Sequence, residues 1–114
     1  MSIRHELKNE IPVIYIENED ELVKGSEFYN IINSYINNED KKKFVLDITA
    51  LNSLNSTGIG VIVKTALRLE ELSGKIAIAS VSQRTKQLFT LANITDIVEI
   101  LEDIDAAIHY LNTV

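Results

Sequence analysis

The sequence FVLDITALNSLNSTGIGVIVK, residues 44–64, contains the pattern that decides the fold. The run from Lys43 to Ile48 is short, apolar and partly β-branched, which is typical of a buried strand. From Ser56 to Leu72 the apolar residues recur at helical spacing, at Ile59, Ile62, Val63, Ala66 and Leu69. The polar stretch between the two runs therefore predicts a loop that joins a strand to a helix.

The flanking sequence repeats this alternation. A strand is predicted from Pro12, with the preceding SIRHELK as an edge strand, and a helix follows over Ser26–Asn37. After the βα unit above come a strand KIAIAS, a helix from the N-cap Ser82 through Ala92, a strand DIVEIL and a helix after Asp103. The order ββαβαβαβα predicts an α/β domain with a mostly parallel or mixed sheet of about five strands and about four helices, because parallel strands need crossover helices. The length of 114 residues predicts a single domain, residues 1–114.

The sequence also predicts where two of the helices end and which residues the helix after Ser82 buries. Ser73 and Gly74 are predicted to end the second long helix, with Gly74 in a left-handed conformation. The helix after Ser82 is predicted to bury Leu88, Phe89, Leu91 and Ala92 and to stop at Asn93.

Composition excludes several classes of function. A net charge of −6 argues against a nucleic-acid partner, since that affinity comes chiefly from Lys and Arg. The chain has no Cys, and its two His residues, His5 and His109, lack metal-ligand spacing, so no metal and no cofactor is expected. No apolar run approaches the roughly 20 residues that span a bilayer, and the N-terminal sequence does not resemble a signal peptide. We expect a cytoplasmic protein without a membrane partner.

The candidate sites are loops that follow parallel strands, since ligands and partners favour the carboxyl edge of such sheets. These loops are Asn18–Gly25, Thr49–Gly58 and Ser80–Arg84. The middle loop places Asn55, Ser56 and Thr57 at a helix N-terminus, where they could cap the helix or carry a functional hydroxyl. Asp47 is expected to accept hydrogen bonds from this loop.

Three further features of the middle loop bear on its function. Gly58 and Gly60 would let the helix approach the sheet closely. The segment lacks the glycine pattern of a nucleotide-binding loop. A hydrolase that uses Ser56 would need His5 or His109 beside the hydroxyl, an arrangement that the sequence leaves open.

Together, FVLDITALNSLNSTGIGVIVK and VSQRTKQLFTLANITDIVEIL resemble the STAS domain family, most closely the single-domain anti-sigma-factor antagonists of bacterial partner-switching systems. The family motif runs from a strand through Leu-Asp-Leu/Ile and a short loop to Asp-Ser-Ser/Thr-Gly-Leu-Gly and a helix. The resemblance covers nearly the whole chain and implies the STAS fold and a binding module that is not an enzyme.

The resemblance also implies a phosphorylation switch in transcription regulation. The unphosphorylated form would bind an anti-sigma factor that is also a serine kinase, phosphorylation at Ser56 would end that binding, and a serine phosphatase would reverse it. The implied partner-binding residues are Asn55, Ser56, Thr57, Gly58, Ile59 and Glu21.

This chain departs from the family pattern at two places. Asn55 stands at the position of the motif Asp, and the first loop, Asn18-Glu19-Asp20-Glu21, keeps the acids but lacks the usual Gly and apolar residue. The alternative role is a constitutive STAS subunit of a transporter or larger signalling assembly without a phosphoswitch.

Overall fold

The computed structural model describes residues 3–52, 54–80 and 82–114. Met1 of the predicted domain, Ser2 of the predicted edge strand, and Ser53 and Val81 of the predicted loops lie outside the described residues. The strands are β1 (Arg4–Lys8), β2 (Ile11–Tyr15), β3 (Lys43–Asp47), β4 (Lys75–Ala79) and β5 (Glu99–Leu101). The helices are α1 (Asp20–Val23), α2 (Ser26–Glu39), α3 (Ser56–Glu71), α4 (Gln83–Leu91) and α5 (Ile104–Asn112).

The five described strands form one mixed sheet in which the spatial order equals the chain order. β1 pairs antiparallel with β2, while β2, β3, β4 and β5 are parallel neighbours. The predicted α/β fold and element order are confirmed, with one addition. The single turn α1, between β2 and α2, was not predicted, because one buried residue, Leu22, is too little to establish a helical period.

Helices cover both faces of the sheet. Successive strand residues point to opposite faces, so Phe44 and Leu46 pack with α2, α3 and Phe89 of α4, whereas Val45 packs with α5. All four of these strand and helix side chains are fully buried. The α3 and α5 helices therefore lie on opposite sides of the sheet.

Two predictions near the C-terminal half are wrong in detail. The strand DIVEIL is reduced to Glu99–Leu101, because the N–H groups of Ile97 and Val98 both bond to the Ile94 carbonyl in a turn. Of the four residues predicted to be buried around α4, Phe89 is buried and Leu88 is half-buried, but Ala92 is exposed and Leu91 is 83% exposed. At about 100° per residue, Leu91 lies about 200° around the helix from Phe89 and points away from the sheet.

Two glycines differ from their predicted roles. The left-handed residue that ends α3 is Ser73, with φ +64°, and not Gly74. Gly74 is needed for space, because a Cβ there would lie 2.2 Å from the Lys42 carbonyl oxygen. The prediction that Gly60 permits close helix packing is also wrong. Apart from its chain neighbours and the nearby backbone of α3, no atom of the described residues lies within 4 Å of the place where its Cβ would stand.

These two glycines should respond to alanine in opposite directions. Gly74→Ala should lower the unfolding free energy by about 1–3 kcal/mol, because backbone must move to admit the methyl group. Gly60→Ala should raise it by up to about 1 kcal/mol, because alanine favours the interior of a helix. Urea denaturation followed by circular dichroism measures both, and a stable Gly74→Ala variant would contradict the close approach.

Tyr15 at the end of β2 is held by the edge strand β1. The Arg4 guanidinium carbon lies 3.9 Å from the Tyr15 ring centroid, and the Tyr15 hydroxyl donates a hydrogen bond to the Glu6 carboxylate. Arg4 also lies 3.8 Å from the carboxylate of Glu17, the residue that precedes the first loop. Burial, and then the bond to Glu6, raises the pKa of Tyr15 to about 12.

This pKa predicts a loss of stability in alkaline solution. The pKa of tyrosine in an unfolded chain is about 10, so the folded state holds the Tyr15 proton more tightly. The contribution of this proton to the unfolding free energy is fully present below pH 10 and is lost as the pH rises from 10 to about 12. The unfolding free energy of the wild type should therefore fall more steeply over this range than that of Tyr15→Phe, and equal slopes would contradict the assignment.

Candidate functional site

The carboxyl ends of the parallel strands are aligned at one edge of the sheet. Hydrogen bonds continue the ladder past the strand ends, from Ile16 N–H to the Asp47 carbonyl at 2.9 Å and from Ile48 N–H to the Ala79 carbonyl at 3.0 Å. A third bond joins Ser80 N–H to the Leu101 carbonyl at 3.0 Å. The segments that follow β2, β3 and β4 therefore start side by side.

The middle loop is fixed at both ends and by its apolar residues. Leu51 and Leu54 are buried, and the Asp47 carboxylate accepts a hydrogen bond from Thr49 N–H at 2.9 Å, as predicted. The Ser82 hydroxyl donates to the Asn52 carbonyl at 2.7 Å. The same Ser82 oxygen accepts from Thr85 N–H at 3.2 Å, which confirms the predicted N-cap of α4 and ties the second and third loops together.

Asn55 is the N-cap of α3. Its backbone is extended, with φ −84° and ψ 172°, and its Oδ1 accepts a hydrogen bond from Gly58 N–H at 2.8 Å. Of the two roles that the sequence leaves open for this stretch, the geometry shows capping at Asn55. Ser56 and Thr57 are the first two residues of the helix and are exposed, while Gly58 is buried and Ile59 is half-buried. The structure thus brings these five predicted residues together in one cap and first turn.

Glu19 joins this site and was not singled out from the sequence. Its Oε1 accepts a hydrogen bond from Asn55 N–H at 2.5 Å, and its Oε2 lies 3.4 Å from the Asn55 side-chain nitrogen. The sequence contains four acids between positions 17 and 21, and no local pattern distinguishes this one. Only the alignment of the first two loops at one edge of the sheet could have indicated a contact.

Glu21 is turned toward its own segment. Its Oε1 accepts hydrogen bonds from Glu17 N–H at 2.7 Å and from Asn18 N–H at 3.4 Å, and the side chain is half-buried. These bonds hold the first loop in shape beside α1. The role of Glu21 in partner binding stays a prediction, since its contacts give it a structural role in the isolated chain.

The electrostatics of the site combine an acidic surface with a positive helix end. Glu17, Glu19, Asp20 and Glu21 crowd the first loop, but the first turn of α3 carries no acid. Asn55 accepts a hydrogen bond from Gly58 N–H, and Glu19 accepts one from Asn55 N–H. In the described part of the chain no hydrogen bond is found from the N–H groups of Ser56 and Thr57. Such unpaired N–H groups favour a negative group on the Ser56 hydroxyl.

Neither imidazole hydrogen-bonds to Ser56 within the described residues. The His5 Nδ1 lies 2.7 Å from the Tyr35 hydroxyl, and His109 is exposed on α5, on the face of the sheet opposite to α3. The geometry thus gives no support to a hydrolase that uses Ser56. The described residues contain no cluster of three His, Asp or Glu side chains that could hold a metal ion. Among the described helices, none has the length and apolar character needed to cross a membrane.

Comparison with known proteins identifies the family. The model of the STAS domain family matches residues 6–107. The chain belongs to the STAS domain family. This STAS domain is similar in structure to an anti-sigma factor antagonist from Mycobacterium paratuberculosis, with a TM-score of 0.78 and 16% identity over 97% of this chain and 93% of that one. It is also similar to the anti-sigma factor antagonist SpoIIAA in its unphosphorylated form, with a TM-score of 0.75 and 16% identity over 99% of this chain and 98% of that one.

The Asn55 cap can be tested by its contribution to the stability of this STAS domain. Asn55→Ala should lower the unfolding free energy by about 1 kcal/mol, because Gly58 N–H loses its acceptor. Asn55→Ser retains a capping oxygen and should lose less. Thermal and urea unfolding of the two variants measure the difference, and equal losses would show that the capping oxygen is not what stabilises α3.

Proposed function

We propose that this STAS domain is an anti-sigma factor antagonist that is switched off by phosphorylation of Ser56. The observation that supports the proposal is the position of Ser56, which is exposed directly after the Asn55 cap, as the first residue of α3. This position matches the serine of the motif that the sequence resembles. The antagonists with a similar fold, one of them solved in an unphosphorylated form, support the same role.

The unphosphorylated site offers a surface that a protein partner can cover closely. Ser56 and Thr57 carry small side chains, Gly58 has none, and Ile59 contributes a partly exposed apolar side chain. The Asn55 side chain and the buried leucines of the loop fix this surface, so little conformational entropy is lost when a partner binds. Glu21, on the first loop, is included in the proposed contact because the resemblance implies it.

Phosphorylation changes the charge of this surface and leaves the fold in place. A phosphoserine adds about −1.5 to −2 charges and three acceptor oxygens. The helix N-terminus stabilises this group in the free chain, but an interface built for a hydroxyl would have to desolvate it. Unphosphorylated protein would therefore bind the partner, and phosphorylated protein would release it.

The proposed partners follow from this switch. One is a bacterial anti-sigma factor that is also a serine kinase, which transfers the terminal phosphoryl group of ATP to the Ser56 hydroxyl oxygen. The other is a serine phosphatase that restores the hydroxyl. A role in transcription regulation would place the protein in the cytoplasm.

The switch can be tested by binding. With a candidate anti-sigma factor from the same organism, Ser56→Ala should bind as tightly as the wild type, while Ser56→Asp should bind about 30- to 1000-fold more weakly, which corresponds to about 2–4 kcal/mol. Isothermal titration calorimetry measures both affinities. Tight binding by both variants would contradict the phosphoswitch and would instead fit a constitutive STAS subunit of a transporter or signalling assembly.

Phosphorylation itself has a separate test with a matched control. Intact-mass measurement after incubation with the candidate kinase and ATP should show one added phosphate on the wild type and none on Ser56→Ala. Thr57→Ala removes the neighbouring exposed hydroxyl of the same helix turn and should still accept one phosphate. Phosphate on Ser56→Ala would place the acceptor elsewhere.

A further inference from the structure

Glu19 connects the first turns of two helices. Its carboxylate accepts hydrogen bonds from Asn55, the N-cap of α3. Its backbone carbonyl accepts from Leu22 N–H and Val23 N–H, both at 2.9 Å, at the start of α1. Leu22 is fully buried, and α1 packs against α3. One side chain thus holds the acidic first loop against the residue that precedes Ser56.

The contact uses both ends of the Asn55 side-chain amide. The oxygen accepts from Gly58 N–H at 2.8 Å, and the nitrogen points to Glu19 Oε2 at 3.4 Å. An aspartate at position 55, as in the motif that this segment resembles, could make the first bond and not the second. Its other oxygen would face the Glu19 carboxylate, and two like charges at this distance repel each other. An amide at position 55 is therefore matched to a carboxylate at position 19.

We infer that Glu19 is a positioning residue that ties the first loop, Asn18–Gly25, to α3 through Asn55, and that negative charge added at Ser56 loosens this tie. The hydrogen bonds of Glu19 support the tie, while its loosening in the cell rests on the proposed phosphorylation of Ser56. Phosphorylation would then act twice on a partner, by blocking the first turn of α3 and by freeing the acidic loop beside it.

The charge at Ser56 loosens the tie by direct repulsion. Ser56 follows Asn55 in the chain, so a phosphate there carries about −1.5 to −2 charges close to the Glu19 carboxylate. The phosphate also carries more negative charge than the Glu19 carboxylate and competes with it for the N-terminus of α3. Both groups are at the surface, where water and salt screen the repulsion, so we expect a partial release and no unfolding.

A double-mutant cycle tests the tie in the isolated chain. Hydrogen exchange of the backbone N–H of residue 55, followed by NMR at one pH, should be about 3- to 10-fold faster in Glu19→Gln and in Asn55→Asp. The first variant places two hydrogen-bond donors together, and the second places two carboxylates together. The double variant places Gln at position 19 and Asp at position 55. The Gln amide can then donate to the Asp carboxylate, so the side-chain hydrogen bond is restored with donor and acceptor exchanged. Its exchange should return toward the wild-type rate, and rates that change additively would overturn the tie.

Asp20→Asn is the matched control for charge. Asp20 adjoins Glu19, is exposed, and its side chain makes no hydrogen bond in the described residues. The variant removes one negative charge from the same loop without touching Asn55, so it should leave the exchange of the Asn55 amide within about twofold of the wild type. An effect as large as that of Glu19→Gln would attribute the change to net charge and overturn the tie.

The release is tested with Ser56→Asp, compared with Ser56→Asn of similar shape. The aspartate should speed exchange of the Asn55 amide about 3- to 10-fold over the asparagine variant in the wild-type background, and have little effect in Glu19→Gln. Equal rates for the two variants would overturn the release. Because no kinase or partner is used, a chain that is never phosphorylated could still show the tie and the response to charge, so failure of the proposed function is recognised separately.

Discussion

The parallel pairing of β2, β3, β4 and β5 is the constraint on which the candidate site depends. Each parallel neighbour is reached through a crossover helix, so every one of these strands ends at the same edge of the sheet. Hydrogen bonds beyond the strand ends, such as Ile48 N–H to the Ala79 carbonyl, carry the alignment into the loops. Segments that are 36 residues apart in sequence, at Glu19 and Asn55, can therefore meet.

Hydrogen bonds to backbone groups then convert this meeting of loops into a fixed surface. Asn55 caps α3, Ser82 caps α4 and also reaches the Asn52 carbonyl, and Asp47 holds the start of the middle loop. Each bond satisfies a backbone group at a helix start or in the middle loop that water would otherwise have to satisfy. The outcome is a small exposed hydroxyl, that of Ser56, on a support that is already ordered before any partner arrives.

The mixture of charges around Ser56 bears on the proposed phosphorylation. A helix N-terminus attracts an added phosphate, while the acids of the first loop oppose it. Water and salt weaken both effects at an exposed site. A modification placed in such a balance can alter a partner interface and the position of Glu19 while the buried core, including Phe44 and Leu46, keeps its packing.

The sequence alone determined the order of the elements other than α1, the βα unit around residues 44–64 and a polar helix start at Asn55–Thr57, since period and cap chemistry are local properties. It failed where the answer depended on neighbours: Gly74 is needed because of the Lys42 carbonyl, and Leu91 is exposed because it points away from the sheet. Tertiary structure alone selected Glu19 from a run of acids, because only the alignment of parallel strand ends brings one of them to Asn55. Local chemistry is encoded in spacing along the chain, whereas contact between distant loops is decided by the sheet that positions them.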